Sequence, residues 1–177
     1  MKIDTGLITD WKVASKTRPI KAKPLSLLVD PIVEPKLLLE TLEGNESLRH
    51  GAVICIGEVG DVWQQMPEKL LKKYSIKAID DNGWSICEPL LNNAVNVFEV
   101  TEEFYNSITK NYILLEMCTK KGDFYINGQW GDDEHPFFGK NVQWGFIGDF
   151  ICQNQTDPSD VWIVKRKLFL NTYVIKS

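Results

Sequence analysis

Histidine is scarce in this sequence. Of 177 residues only His50 and His135 could serve as neutral-pH acid–base groups, and neither has a serine or cysteine in a recognisable nucleophile motif nearby. A Walker phosphate loop, a dinucleotide glycine fingerprint, a zincin helix and a kinase signature are all missing. No apolar run has the length a bilayer demands, and Met1-Lys2-Ile3-Asp4 has no hydrophobic signal core. The expected setting is therefore the cytoplasm, without a membrane partner. Cysteine is sparse as well. Cys55, Cys87, Cys118 and Cys152 stand too far apart for a zinc knuckle, and three lie in apolar strand-like runs, which reads as reduced buried thiols. A basic surplus is missing too: the net charge is −4 and the pI near 5.3, which argues against bulk, sequence-independent nucleic-acid binding.

What is present is ordinary for a globular protein. Apolar residues make up 44% and charged residues 25%, enough for a core within one domain or two small domains sharing one. Six tryptophans supply either a well-filled core or an aromatic binding face. The charge is uneven. Residues 1–30 carry six basic side chains against three acidic ones, a surplus of three, so the remainder stands at −7.

The chain carries an internal repeat, and repeats define the building unit. Gly51-Ala52-Val53-Ile54-Cys55 precedes Asp61-Val62-Trp63 and an amphipathic stretch ending at Tyr74. Gly148-Asp149-Phe150-Ile151-Cys152 precedes Asp160-Val161-Trp162 and a similar stretch ending at Tyr173. From Trp to Tyr the spacing is 11 in both, and from Gly to Trp it is 12 and 14, a difference one turn absorbs. Each copy predicts strand, turn, strand, short helix, strand. In the first, Gly57-Glu58-Val59-Gly60 is a hairpin turn, Pro67 suits the first helical position, and Glu68, Lys72 and Lys73 complement the helix dipole. A worn middle copy is a further expectation. Gly83-Trp84-Ser85-Ile86-Cys87 repeats the Gly-to-Cys pattern, and 97–105 matches the apolar pattern of 161–169, with Thr101 as an N-cap.

The expected organisation is one compact α+β domain of duplicated strand-turn-strand-helix-strand units, its sheet mixed or mainly antiparallel. Residues 1–36 form an extended, basic N-terminal segment in which Pro19 and Pro24 limit regular pairing. The first unit covers 37–80, the degenerate middle unit 81–112 and the second unit 113–177. In the last, 113–118, 124–126 and 146–152 are expected strands, and 127–145 is a long irregular loop rich in glycine and polar residues.

Parts of the sequence resemble a small domain of phage and prophage proteins known by its Pro-Gly-Asp-Tyr-Leu motif. Leu39-Glu40-Thr41-Leu42-Glu43-Gly44 looks like that family's lead-in strand and turn. Gly148-Asp149-Phe150-Ile151 is similar to the motif itself, Trp162 through Tyr173 to the closing strand and helix, and Lys16-Thr17-Arg18-Pro19-Ile20 to the basic, proline-containing start. Ile147 stands where the motif has proline, and the first copy, His50-Gly51-Ala52, lacks the aspartate. The resemblance implies a phage-related setting and a compact α+β fold, and no activity.

Two places carry candidate binding chemistry. Trp130, Asp132, Asp133, Glu134 and His135 lie in the expected loop, where they could form a partner-binding surface or a solvated acidic turn. Three carboxylates beside a histidine could bind a divalent ion there, but adjacent residues rarely converge on one ion, so no metal is expected. Lys165-Arg166-Lys167 opens the last helix, where positive charge opposes the dipole, whereas the sister helices carry Glu68 or Glu102 and Glu103. That reversal suits an anion, with Trp144 or Trp162 near enough to stack on a base; the alternative is a solvated basic triplet. Asp61 and Asp160 read as turn or strand-start residues, and Trp63 and Trp162 as core.

The expectation is a non-enzymatic binding protein of phage or mobile-element type, without a cofactor. It would engage a host protein or sequester a small anionic, nucleotide-like ligand. The alternative is an immunity protein whose acidic loop blocks a toxin's active site.

Overall fold

The structure, a computed structural model, describes residues 1–29, 37–41, 44–90, 93–109, 121–132 and 137–176. Among them are fourteen β-strands and three α-helices, with the strands of every sheet paired antiparallel. The α+β class holds. Among the described residues no helix is long and apolar enough to cross a membrane.

The strands are β1 (Lys12–Lys16), β2 (Ile20–Pro24), β3 (Leu38–Thr41), β4 (Gly44–Ser47), β5 (Val53–Gly57), β6 (Val62–Gln65), β7 (Tyr74–Ile79), β8 (Ser85–Pro89), β9 (Ala94–Glu99), β10 (Phe124–Asp132), β11 (Val142–Gly145), β12 (Phe150–Asn154), β13 (Val161–Val164) and β14 (Tyr173–Ile175). The helices are α1 (Pro67–Lys73), α2 (Glu102–Thr109) and α3 (Arg166–Thr172). Two five-stranded sheets dominate, one ordered β6-β5-β2-β8-β7 and the other β13-β12-β9-β1-β14. The hairpins β3–β4 and β10–β11 form separate two-stranded sheets.

The two large sheets share order and register. Cys55 lies opposite Trp63 and Ala22, and Cys152 lies opposite Trp162 and Val97. Cys87 is flanked by Ile20 and Ile76, and Ala14 by Val95 and Ile175. Tyr74 faces Pro89 where Tyr173 faces Lys16. In each sheet a helix carries the chain from the edge hairpin to the opposite edge strand, and β7 and β14 follow α1 and α3 without a gap.

Each sheet also borrows a strand. With the halves taken as β1–β7 and β8–β14, β1 of the first inserts between β9 and β14, and β8 of the second, which follows β7 through a short turn, inserts between β2 and β7. The halves are therefore interlocked by reciprocal strand exchange. An antiparallel ladder cannot be completed from one half alone, because the borrowed strand supplies the partners of both its neighbours.

Side-chain alternation puts different contacts on the two faces of each sheet. On one face of the second sheet, Val95, Val97, Phe150, Cys152 and Val164 pack beneath Phe169 and Tyr173. The Phe150 and Phe169 rings stack at 3.8 Å, and Phe169 and Tyr173 at 4.8 Å. On the other face, Ile151, Val161 and Ile163 meet Phe124, Ile126 and side chains of α2. The first sheet packs Ile20, Ala22, Val53, Cys55 and Cys87 under Leu70 and Tyr74.

Several sequence expectations need correction. The segment 12–24 is not a poorly paired arm: β2 is the middle strand of its sheet and β1 an inner strand of the other. Pro19 precedes β2 and Pro24 ends it, so neither removes a donor from the strand interior. The region 127–145 is not irregular throughout: its described residues to Asp132 belong to β10 and Val142–Gly145 is β11, paired antiparallel with a bulge. Two of its glycines sit where no side chain fits: a Cβ on Gly145 would come within 2.3 Å of the Phe124 ring, and one on Gly131 within 2.7 Å of the Val142 carbonyl. Gly131, at φ 137°, takes a conformation that L side chains rarely adopt. The strand expected over 146–152 begins at Phe150. Segment 81–112 does contain strand, strand and helix, yet β8 and β9 lie in different sheets and do not form the expected hairpin. The expected strand at 113–118 lies outside the described residues.

Interlocked sheets should unfold together. Phe169→Ala removes a buried ring from between Phe150 and Tyr173 and should cost about 3–5 kcal/mol. In both wild type and variant, urea transitions followed by tryptophan fluorescence and by far-ultraviolet circular dichroism should coincide. Two separated transitions in the wild type would show halves that fold independently.

Candidate functional site

A cleft of about 160 Å³ opens between the two large sheets, bordered by β6, β13, the two helices α1 and α3, and β1. Its walls follow from the shared register. Trp63 and Tyr74 come from the first sheet, and Trp162 and Tyr173 occupy the corresponding places in the second. Asp61 and Asp160, each just before the returning strand of a hairpin, lie at corresponding positions at its border.

Three lysines reach into this aromatic space from the first half of the chain. Lys16, at the end of β1, holds its ammonium 4.4 Å from the centre of the Trp63 ring and 5.5 Å from that of Tyr173. Lys73, at the end of α1, sits 4.8 Å over Trp162. Lys69, one turn earlier, bonds Gln129 at 2.9 Å and Asp160 at 3.4 Å. A cation over a ring face is attracted by the ring's quadrupole, more strongly when water is excluded.

Lys16 and Lys73 have no hydrogen-bond acceptor among the described residues. Burial pushes both amines below the ordinary lysine range, opposed mainly by the charge of Asp61 for Lys16 and of Asp160 for Lys73. The carboxylate of Asp61 is only 6% exposed, and its Oδ1 is buried without a partner. Asn93, 7% exposed at the same cleft, makes no side-chain hydrogen bond among the described residues. Buried polar groups are ordinarily satisfied, and each exception calls for an explanation. One such exception, Asp61 Oδ1, borders this cavity, beside two half-buried ammonium groups that have no acceptor among the described residues. Burial also raises the Cys55 thiol to about 12 and lifts the Tyr74 and Tyr173 phenols, so these groups stay neutral beside the lysines.

The positions singled out from sequence lie elsewhere. Asp149 carries the triplet at 165–167: its Oδ1 accepts from the Arg166 backbone N–H at 2.8 Å, and its Oδ2 from Phe146 N–H at 2.8 Å and from Lys165 Nζ at 3.3 Å. Lys165 Nζ also donates to the Trp144 carbonyl at 2.9 Å, and Arg166 pairs with Glu99. The place expected for an external anion is thus occupied by the chain's own carboxylate, which answers the unfavourable charge at that helix start. Lys167 is exposed. Trp144 is 6% exposed and packed between Tyr125 and Phe138, with no face open for stacking. Trp130 and Asp132 belong to β10, while Asp133, Glu134 and His135 lie outside the described residues. Among the described residues no three His, Cys, Asp or Glu side chains gather as a metal site.

Sequence reasoning missed Lys16, Lys69, Lys73 and Asn93. The signal available was the repeat itself, since Lys69 and Lys73 stand where the second copy has Leu168 and Thr172. Lys16 and Asn93 carry no local signal, because only the strand exchange brings them to the cleft.

A buried amine whose folded-state value lies below its unfolded value of 10.5 costs stability while the folded state must hold it charged. The cost is present at neutral pH and disappears as pH rises through the lowered value to the unfolded one. Lys16→Met should therefore raise stability at pH 7, on the order of 1 kcal/mol. The gain should shrink as pH approaches 10.5. Urea unfolding of both proteins at neutral and alkaline pH measures this; a variant less stable at pH 7 would show that the ammonium is well compensated.

No protein-family model matches the chain, and neither a curated protein nor a solved structure matches it. Its function is therefore argued from the cleft alone.

Proposed function

We propose that the protein binds a small anionic ligand with a planar body in the cleft between its two large sheets. The observation that carries this reading is the pair of ammonium groups, Lys16 and Lys73, lodged among aromatic rings with no acceptor among the described residues. Such groups are expensive to bury unless something arrives to accept their hydrogen bonds. An anion does so, and the walls of Trp63 and Trp162 suit a flat, polarisable body.

The reading is of binding rather than turnover, since cations over rings, amides and a lone carboxylate recognise a molecule without attacking it. The site differs from the helix start expected from sequence, but the ligand class, small and anionic, is the same. Matching strand order and register also support reading the chain as two copies of one unit, in line with the repeated Gly, Cys, Trp and Tyr positions. The setting we propose is that of the family it resembles, a phage or mobile element, with the ligand sequestered in the cytoplasm.

Titration calorimetry with a panel of planar anions, from benzoate to nucleoside monophosphates, tests the reading. At least one should bind saturably at one site per chain. Lys16→Met and Lys73→Met should each weaken that binding tenfold or more and leave the circular dichroism spectrum unchanged. Silence across the panel, or affinity indifferent to both substitutions, would refute it.

A further inference from the structure

The two halves of the cleft match in their rings and differ in their charges. Trp63 answers Trp162 and Tyr74 answers Tyr173, whereas register sets Lys16 against Pro89, and the helix alignment sets Lys69 and Lys73 against Leu168 and Thr172. All three cations thus come from one half, and the pseudo-symmetry of the cavity does not extend to its charges.

The aspartates diverge in a complementary way. Asp160 is satisfied: Asn154 Nδ2 donates to its Oδ2 at 3.2 Å, and Lys69 lies 3.4 Å away. The residue corresponding to Asn154 is Gly57. Each gives its backbone N–H to the carbonyl of its aspartate, at 2.8 Å for Gly57 to Asp61 and 2.9 Å for Asn154 to Asp160. Glycine, however, has no amide to offer the carboxylate. Asp61 instead folds into the space a side chain would fill, with Oδ1 1.9 Å from where a Cβ on Gly57 would stand. Oδ1 is thereby buried against Gly57 without a partner, and Oδ2 receives no hydrogen bond among the described residues, in a carboxylate that lines the same cavity as the Asn93 amide.

We propose that the ligand is a single heteroaromatic ring bearing an acidic substituent and a ring N–H, a pyrimidine acid, held in one orientation. Its anionic substituent meets Lys16 and Lys73, and its N–H donates to Asp61. Asn93, both donor and acceptor, faces the alternating donor–acceptor edge of such a ring. The volume, about 160 Å³, supports one ring rather than two; engineered cavities of about 150 Å³ hold benzene. This assignment rests on the cleft being a site for planar anions and adds the donor that separates one such anion from another.

The test compares ligands differing in one feature, measured by calorimetry on the full chain. Orotate has ring, N–H and carboxylate; uracil lacks the charge; benzoate lacks the N–H; and orotate methylated on its ring nitrogens keeps the charge and loses the donors. Uridine 5′-monophosphate, whose sugar adds a second ring, tests the size limit. Orotate should bind at least tenfold more tightly than benzoate, uracil, methylated orotate and the monophosphate. Asp61→Ala should erase the preference over benzoate, and Gly57→Ala, which displaces the Asp61 carboxylate, should do the same. If benzoate and methylated orotate bind as tightly as orotate, or the preference survives both substitutions, the assignment of the donor falls while the planar-anion site stands. If no anion binds, benzoate included, the site itself is wrong and the assignment falls with it. The methylated ligand decides the matter on the unmodified protein should either variant fail to fold.

Discussion

Reciprocal exchange of β1 and β8 between the halves is the constraint on which the rest of this structure depends. A strand inside a sheet must find partners for its backbone groups on both sides. Lys12–Lys16 finds them on β9 and β14, and Ser85–Pro89 on β2 and β7. Removing either strand would expose the ladders of two others and leave an edge strand cut off from its sheet. Because the exchange runs both ways, the halves are fixed relative to one another, and their aromatic faces enclose one cleft.

The cleft in turn explains groups that would otherwise burden the fold. Lys16 is brought by β1 to the second sheet, beside Tyr173, yet its ammonium lies over Trp63 of the first. Lys69 and Lys73 leave α1 in the first half and end on Asp160 and over Trp162 in the second. These contacts tie the sheets together across the cavity, but cation–π attraction alone recovers only a fraction of the cost of removing an ammonium from water. Together with the Asp61 carboxylate, the cavity has the polar inventory of a binding site: two ammonium groups without an acceptor among the described residues, a carboxylate without a donor, and flat apolar walls beside them.

Local features of the fold were legible in the sequence, and long-range ones were not. The hairpin at 53–65, the Pro67 helix start, and the strands after Tyr74 and Tyr173 follow from turn residues, capping and periodicity within a few positions. The pairing of Lys16 with Tyr173 leaves no such trace, and a strand reading Lys-Val-Ala-Ser-Lys offers little apolar alternation to announce an inner position. Glycine and polar residues at 127–145 suggested a loop because their roles, close approach to Phe124 and a bulge opposite Val142, exist only once the hairpin has formed. The triplet at 165–167 looked open to an anion because Asp149, sixteen residues upstream of Lys165, returns to the helix start only through the β12–β13 hairpin. The relation of Gly57 to Asp61, and of Asn154 to Asp160, is a matter of register, which sequence spacing alone does not fix.

Native-state hydrogen exchange reports on the strand exchange most directly, because amides in an interlocked strand open only when the whole structure does. Amides of β1 and β8 that lie in the ladders should exchange with the same opening free energy as those of β2 and β9, close to that of global unfolding. Exchange of β1 or β8 through local opening, several kcal/mol below the global value, would show strands laid on the sheets rather than built into them, and would contradict the interlocked fold.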